Sequence, residues 1–190
     1  MRCGGSSVLF KRKGRRRWPV PDVASRIKVY LEASFFGYLV SETSKLSHVA
    51  ARQVATEAWW RDEADACDLF ISNYVTDEIM DGDPNEAALR AEAAKGIPSL
   101  DGTLDAVMVL ARRLLEADAL PQKAKTDAHH IATAAVHGMD VLLTWNCHHM
   151  ANTVTLPKTV SVVATAGYRC PMIITPLSFS QAKEKIYGLV

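Results

Sequence analysis

Residues 124–152 read AKTDAHHIATAAVHGMDVLLTWNCHHMAN, and the fold follows from how this stretch changes its period. Thr126 is the expected N-cap, with Asp127 in the first turn, where a carboxylate suits the positive end of the helix dipole. Ala128, Ile131, Ala132 and Ala135 recur at i, i+3, i+4 and i+7, which makes one apolar helical stripe. Gly138 stands where a helix end takes a left-handed residue. Val141–Trp145 then reads as a short buried strand, with Asn146 directly after it. In open α/β sheets, ligands bind beyond the carboxyl ends of the strands. One short unit therefore offers an acid at a helix start and an amide at a strand end, beside one crevice.

Working outward, Ile27–Leu31 is a short alternating strand, followed by Glu32, then Ser34, then a helix start at Phe35–Leu39. Residues 47–66 read as one long helix with Val49, Val54, Ala58, Trp59 and Ala66 at apolar positions. Trp59 and Trp60 are expected to pack rather than to stack on bases. Leu69–Ser72 is a second strand and residues 73–80 begin a short helix. Asp81–Pro84 breaks that helix, and Pro84 opens the next, over 85–95. Ile97–Leu100 is a third strand, and Asp101-Gly-Thr103 leads into a helix ending near Ala117. Residues 156–166 read as helix or loop, and Cys170–Thr175 as a last strand. The predicted order is β-α-α-β-α-α-β-α-α-β-α-α-β. Strands separated by helices imply an α/β chain: a three-layer α/β/α sandwich with a mainly parallel sheet. No internal repeat is present.

The chain has 190 residues, enough for one domain with a sizeable core. Its formal net charge is +1, but the charge is unevenly placed. The first 28 residues carry nine of the 22 Lys/Arg and one of the 21 Asp/Glu, a surplus of eight positive charges; the rest has a deficit of seven. The expected division is a basic, disordered extension over 1–26 and a folded domain over 27–190. The extension reads either as a nucleic-acid-binding arm or, as like-charge blocks usually are, as a solvated tail. The acidic body suits a site that gathers carboxylates around a cation. Cys3, Cys67, Cys147 and Cys170 are scattered, without a C-x-x-C pair, so a zinc knuckle or disulfide framework is not indicated and a cytoplasmic setting is expected. No apolar run approaches the roughly 18 residues a membrane span needs, and the basic N-terminus lacks a following apolar segment, so it is not read as a secretory signal.

Glu32, Glu78, Asp127 and Asn146 all fall where parallel-sheet topology can bring them to one edge. Clustered carboxylates repel and raise each other's pKa unless a cation neutralises them. Taken singly, each acid is an ordinary cap or surface group; Asp127 needs no role beyond the helix dipole. Oxygen ligands without a Cys/His set favour Mg²⁺ or Mn²⁺ over Zn²⁺. The histidines at 129, 130, 137, 148 and 149 lack the H-x-x-x-H spacing of helical zinc sites and are expected to be structural. The absence of G-x-G-x-x-G and G-x-x-x-x-G-K-[ST] disfavours a dinucleotide or P-loop enzyme.

Four blocks, VYLEASFFGYL, ISNYVTDEI with GDP after it, KTDAHHIATAAVHGMDVLLTWNCHHMAN and AGYRCPMIITP, together resemble a PIN-domain nuclease, in the branch of the VapC-type toxins of type II toxin–antitoxin pairs. The likeness spans residues 28–178. It implies a PIN-like fold and a Mg²⁺- or Mn²⁺-dependent endoribonuclease acting on RNA, commonly a homodimer and inhibited by a cognate antitoxin. Glu32 matches the family's first acid, usually Asp; Glu78 the second, with Asp77 as the alternative; and Asp127 the third. Asn146 stands where many members have a fourth acid, and Ser34 matches an accompanying hydroxyl. The implied roles are metal ligation by Glu32, Glu78 and Asp127, and positioning of water or metal by Asn146 and Ser34. The rival expectation is a catalytically weak or inactive PIN-like module that binds RNA or a protein partner.

Overall fold

The computed structural model describes residues 26–188. The expected extension therefore lies outside the described residues, except Arg26. That residue belongs to the folded body: its guanidinium donates to the Asp68 carboxylate at 2.7 Å and to the backbone carbonyl of Asp65 at 2.7 Å.

Five strands, β1 (Lys28–Leu31), β2 (Asp68–Ser72), β3 (Ser99–Leu100), β4 (Val141–Leu143) and β5 (Met172–Ile174), form one all-parallel sheet in the order β3-β2-β1-β4-β5. Among the described residues, eight α-helices connect and follow them: α1 (Ala33–Val40), α2 (Ser47–Asp62), α3 (Asn73–Ile79), α4 (Pro84–Ala94), α5 (Asp105–Glu116), α6 (Lys125–Val136), α7 (Leu156–Thr165) and α8 (Phe179–Ile186). α1 packs on α2, α3 and α4, while α5 packs on α6 and α7, giving the three-layer α/β/α sandwich. β1 is central, with Tyr30 opposite Phe70 of β2 and opposite Leu142 of β4. The chain goes from β1 to one side of the sheet for β2 and β3, then returns to the other side for β4 and β5. The switch point thus lies between β1 and β4, and in open α/β sheets ligands bind beyond the strand ends at such a point.

The strands are short apolar runs because both faces are covered. Val29, Tyr30, Leu31, Val141, Leu142 and Leu143 are all fully buried. Helix α6 is buried nearly all round: Ala128, Ile131, Ala132 and Ala135 form the expected stripe, and His130, Thr133 and Ala134 are buried as well. Its alanines let the neighbours approach closely, and Gly138 ends it with φ 66°. Truncating Leu142 to Ala in β4 removes packed methyl groups between the two helical layers. It is expected to cost about 2–5 kcal/mol, seen as a lower denaturant midpoint with an unchanged m-value.

Several expected boundaries shift. Thr126 does not cap α6: the helix starts two residues earlier, at Lys125, with Ala124 as N-cap and no side-chain cap bond. The long helix over 47–66 stops at Asp62, and a separate 3₁₀ turn covers Ala64–Ala66. Val54, placed on its apolar side, is 64% exposed, and the buried face is Gln53, Thr56 and Trp59. Gln53 belongs inside because its amide ties down the preceding loop, accepting from Ser44 N–H at 2.9 Å and donating to the Glu42 carbonyl at 2.8 Å. One helix, not two, joins β4 to β5, and α8 follows the last strand.

Three cysteines lie in the described part. Burial pushes the Cys67 thiol up to about 12 and that of Cys170 up to about 11, whereas Cys147 is exposed. A thiol-selective reagent at pH 8 is therefore expected to modify Cys147 first in folded protein carrying Cys3→Ser. Cys67 and Cys170 should react only on unfolding, since the thiolate is the reactive form.

Candidate metal centre

The two tightest strand-to-helix junctions build the site. β1 ends at Leu31 and α1 begins at Ala33, so Glu32 alone connects them and is itself the N-cap of α1, accepting from Ser34 N–H at 3.1 Å. Its carboxylate thereby gains the positive helix end. The Ser34 hydroxyl donates to Glu32 Oε2, and the Thr144 hydroxyl donates to the same oxygen at 2.7 Å. Ser34 Oγ also accepts from Trp145 N–H at 2.9 Å, which ties the end of β4 to the start of α1. Glu32 is only 6% exposed, and among the described residues no Lys or Arg pairs with it. A buried carboxylate without a cationic side chain is costly unless some other charge compensates it.

β2 runs without a loop into α3, which carries Glu78. Helix α6 crosses nearby and presents His130, fully buried, whose Nε2 lies 2.8 Å from Glu78 Oε2. One ligand atom from each of Glu32, Glu78 and His130 falls within 4.8 Å of the others, close enough to share one metal ion. Among the described residues this is the one such group of His, Cys, Asp and Glu side chains.

Asp127 sits outside that trio, three residues before His130 and so on the same side of α6. Its Oδ1 accepts from Asn146 Nδ2 at 3.1 Å, and its Oδ2 lies 2.8 Å from His149 Nδ1. Asn146 Oδ1 in turn accepts from His149 N–H at 3.1 Å, so the amide oxygen expected to face water or metal serves the loop after β4. The two groups are joined: Asn146 N–H donates at 2.9 Å to the Thr144 hydroxyl that donates to Glu32. The five residues expected at the site thus all come to the carboxyl edge of the sheet near the β1–β4 switch point. Glu32, Ser34 and Glu78 lie at the trio, while Asn146 reaches Glu32 through the Thr144 hydroxyl and Asp127 reaches it through Asn146. Asp77, the alternative to Glu78, is exposed and does not join the trio.

Two participants were not expected. The sequence suggests a structural role for His130, although its i, i+3 spacing from Asp127 marks it, and not His129, as sharing the acid's face. Thr144 carried no sequence signal, since a threonine ending a β-strand is ordinary.

The electrostatics follow from this geometry. Burial lowers the His130 pKa, but the Glu78 hydrogen bond and the negative charges of Glu32, Glu78 and Asp127 outweigh it, and the net shift is upward. The ring is therefore expected to titrate by NMR above the ordinary value of about 6.5 in EDTA-treated protein, and Glu78→Gln should bring it back down. A raised folded-state pKa contributes stability that is complete below about 6.5 and is lost as pH rises through the folded value.

Among the described residues, no helix is long and apolar enough to cross a membrane. No family model, no curated protein and no solved structure matches the chain.

Proposed function

We propose that this protein is a divalent-metal-dependent endoribonuclease of PIN type that hydrolyses RNA phosphodiester bonds, with Mg²⁺ or Mn²⁺ held by Glu32 and Glu78. The observation that carries this reading is Glu32: a buried carboxylate with no Lys or Arg partner, sharing a 4.8 Å space with a second carboxylate and an imidazole. The donor chemistry fits a hard divalent ion: carboxylate oxygens suit Mg²⁺ and Mn²⁺. When bound, such an ion supplies an acidified water and neutralises charge on the phosphodiester.

The chain's own residues do the rest. Ser34 and Thr144 hold both Glu32 oxygens in place, so the carboxylate is set before any ion arrives. Asp127 adds negative charge that reaches His130, and Asn146 and His149 hold Asp127 still. RNA is chosen over DNA on the resemblance of the four sequence blocks. The same resemblance supports a VapC-like toxin with a cognate antitoxin and a homodimeric state.

The test is purified protein with end-labelled RNA and DNA, in Mg²⁺, Mn²⁺ or EDTA. Metal-dependent cleavage of RNA, absent in EDTA, is expected; RNA left intact under all conditions would contradict it. In cells, induced expression is expected to arrest growth and create new RNA 5′ ends.

One observation favours a second reading, a binding module with little or no catalysis: both Asp127 oxygens and the Asn146 amide are engaged within the protein. RNA retained on the protein in EDTA, with no cleavage when metal is added, is the result that reading expects.

A further inference from the structure

Glu78 sits on α3, a helix of seven residues, and its side chain is 38% exposed. Among the described residues its carboxylate has one side-chain partner, His130. His130 is held from behind: its Nδ1 lies 2.8 Å from the Tyr30 hydroxyl, and that hydroxyl lies 2.6 Å from Ser72 Oγ. Tyr30, Ser72 and His130 are all fully buried. We propose that Ser72, Tyr30 and His130 form a buried relay that fixes the Glu78 carboxylate for a divalent cation, with His130 a positioning residue and not a ligand. The proposal rests on the metal-site reading above and assigns a task to Tyr30 and Ser72, which that reading leaves idle.

The sheet register builds the relay. Tyr30 lies opposite Phe70, and Ser72 is two residues further along β2. Side chains alternate along a strand, so Ser72 shares the face of Tyr30 as its diagonal neighbour. Glu32, two residues beyond Tyr30, follows the same alternation. A one-residue slip would turn the relay away from α6 and take Glu32 with it.

Three polar side chains between two central strands and a buried helix are costly unless each is satisfied. Leu, Phe or Val would pack there more simply. Here every member is paired, and the chain ends on the one group that reaches solvent, the Glu78 carboxylate. Both His130 nitrogens already have partners, so a ligand role would require the ring to give up Glu78. Holding Glu78 requires no rearrangement. In metal sites generally, the hydrogen bonds behind a ligand fix its orientation, and losing one costs 10–100-fold in metal affinity.

Tyr30→Phe deletes one oxygen and preserves the ring. Mn²⁺ binding would be measured by calorimetry on full-length EDTA-stripped wild type, Tyr30→Phe and His130→Gln, at a temperature where thermal melts show each is folded. Paramagnetic resonance of the Mn²⁺-loaded proteins would report nitrogen ligation. Expected are roughly 10-fold or greater weakening in Tyr30→Phe, a similar or larger loss in His130→Gln, and no ¹⁴N coupling to Mn²⁺ that depends on His130. Unchanged affinity in Tyr30→Phe overturns the relay, even if His130→Gln fails to fold. A ¹⁴N coupling that disappears in His130→Gln overturns the positioning role and makes His130 a ligand. No Mn²⁺ binding by wild type overturns the metal reading itself, a result distinct from both.

Discussion

Glu32→Gln is expected to reduce metal-dependent RNA cleavage by more than about 100-fold while leaving the melting temperature of metal-free protein equal or higher. The lower bound comes from comparison: groups that merely support a ligand are worth 10–100-fold, and Glu32 is proposed as a ligand itself. The stability half follows from its surroundings. Glu32 is 6% exposed and shares its pocket with Glu78. Gln keeps an oxygen that can accept from Ser34 N–H, so the cap of α1 survives, while a buried charge without a Lys or Arg partner disappears. Activity and stability should thus move in opposite directions, as at sites where function requires a locally unfavourable arrangement. A simultaneous collapse of the melting temperature would mean that Glu32 is chiefly structural. Cleavage rates and thermal melts on the same preparations decide it.

Asp127→Asn is expected to lower cleavage by about 10–100-fold, with a smaller effect on Mn²⁺ affinity than Glu32→Gln. Asp127 stands outside the trio of mutually close ligand atoms, and its two oxygens serve Asn146 and His149. The substitution removes a charge that bears on His130 and puts an amide where His149 Nδ1 meets a carboxylate oxygen. The loop after β4 would loosen, and with it the Thr144 contact to Glu32. If Asp127→Asn instead abolishes Mn²⁺ binding as completely as Glu32→Gln, Asp127 is a direct ligand and the segment after β4 must rearrange when metal binds.

Much of the fold was legible because strong local signals coincide. The apolar stripe of α6, Gly138 and the run Val141–Leu143 each specify their own local structure, and strands alternating with helices leave little but a parallel sheet. The weaker element ends were misplaced for physical reasons. Nothing in Ala124 suggests a cap, yet packing of α6 against α5 and the sheet sets its first turn regardless of side-chain capping. Gln53 and Thr56 are polar by composition but buried, because Gln53 bonds the preceding loop and the Thr56 hydroxyl donates to the Arg52 carbonyl and accepts from the Trp145 indole. Helix α8 had a readable signal in Phe179, Ala182 and Ile186, at i, i+3 and i+7, with Gly188 beyond it.

The site was legible as a list of residues but not as an arrangement. Glu32, Glu78 and Asp127 could be named from their places after strands or at helix starts. Which of them meet depends on the order β3-β2-β1-β4-β5, and five short apolar strands do not state their neighbours. The helix register of α6 then selects His130 to face Glu78, while the turn after β4 brings His149 to Asp127. Both contacts needed long-range structure to be seen; the three-residue spacing from Asp127 shows only that His130 lies on the same side of α6.

The most direct measurement is calorimetric titration of Mn²⁺ into EDTA-stripped wild type and Glu32→Gln. Saturable binding by the wild type, weakened by more than about 100-fold in the variant, is predicted for a cation held at the β1–α1 junction. Equal binding by both proteins, or none by the wild type, would contradict it.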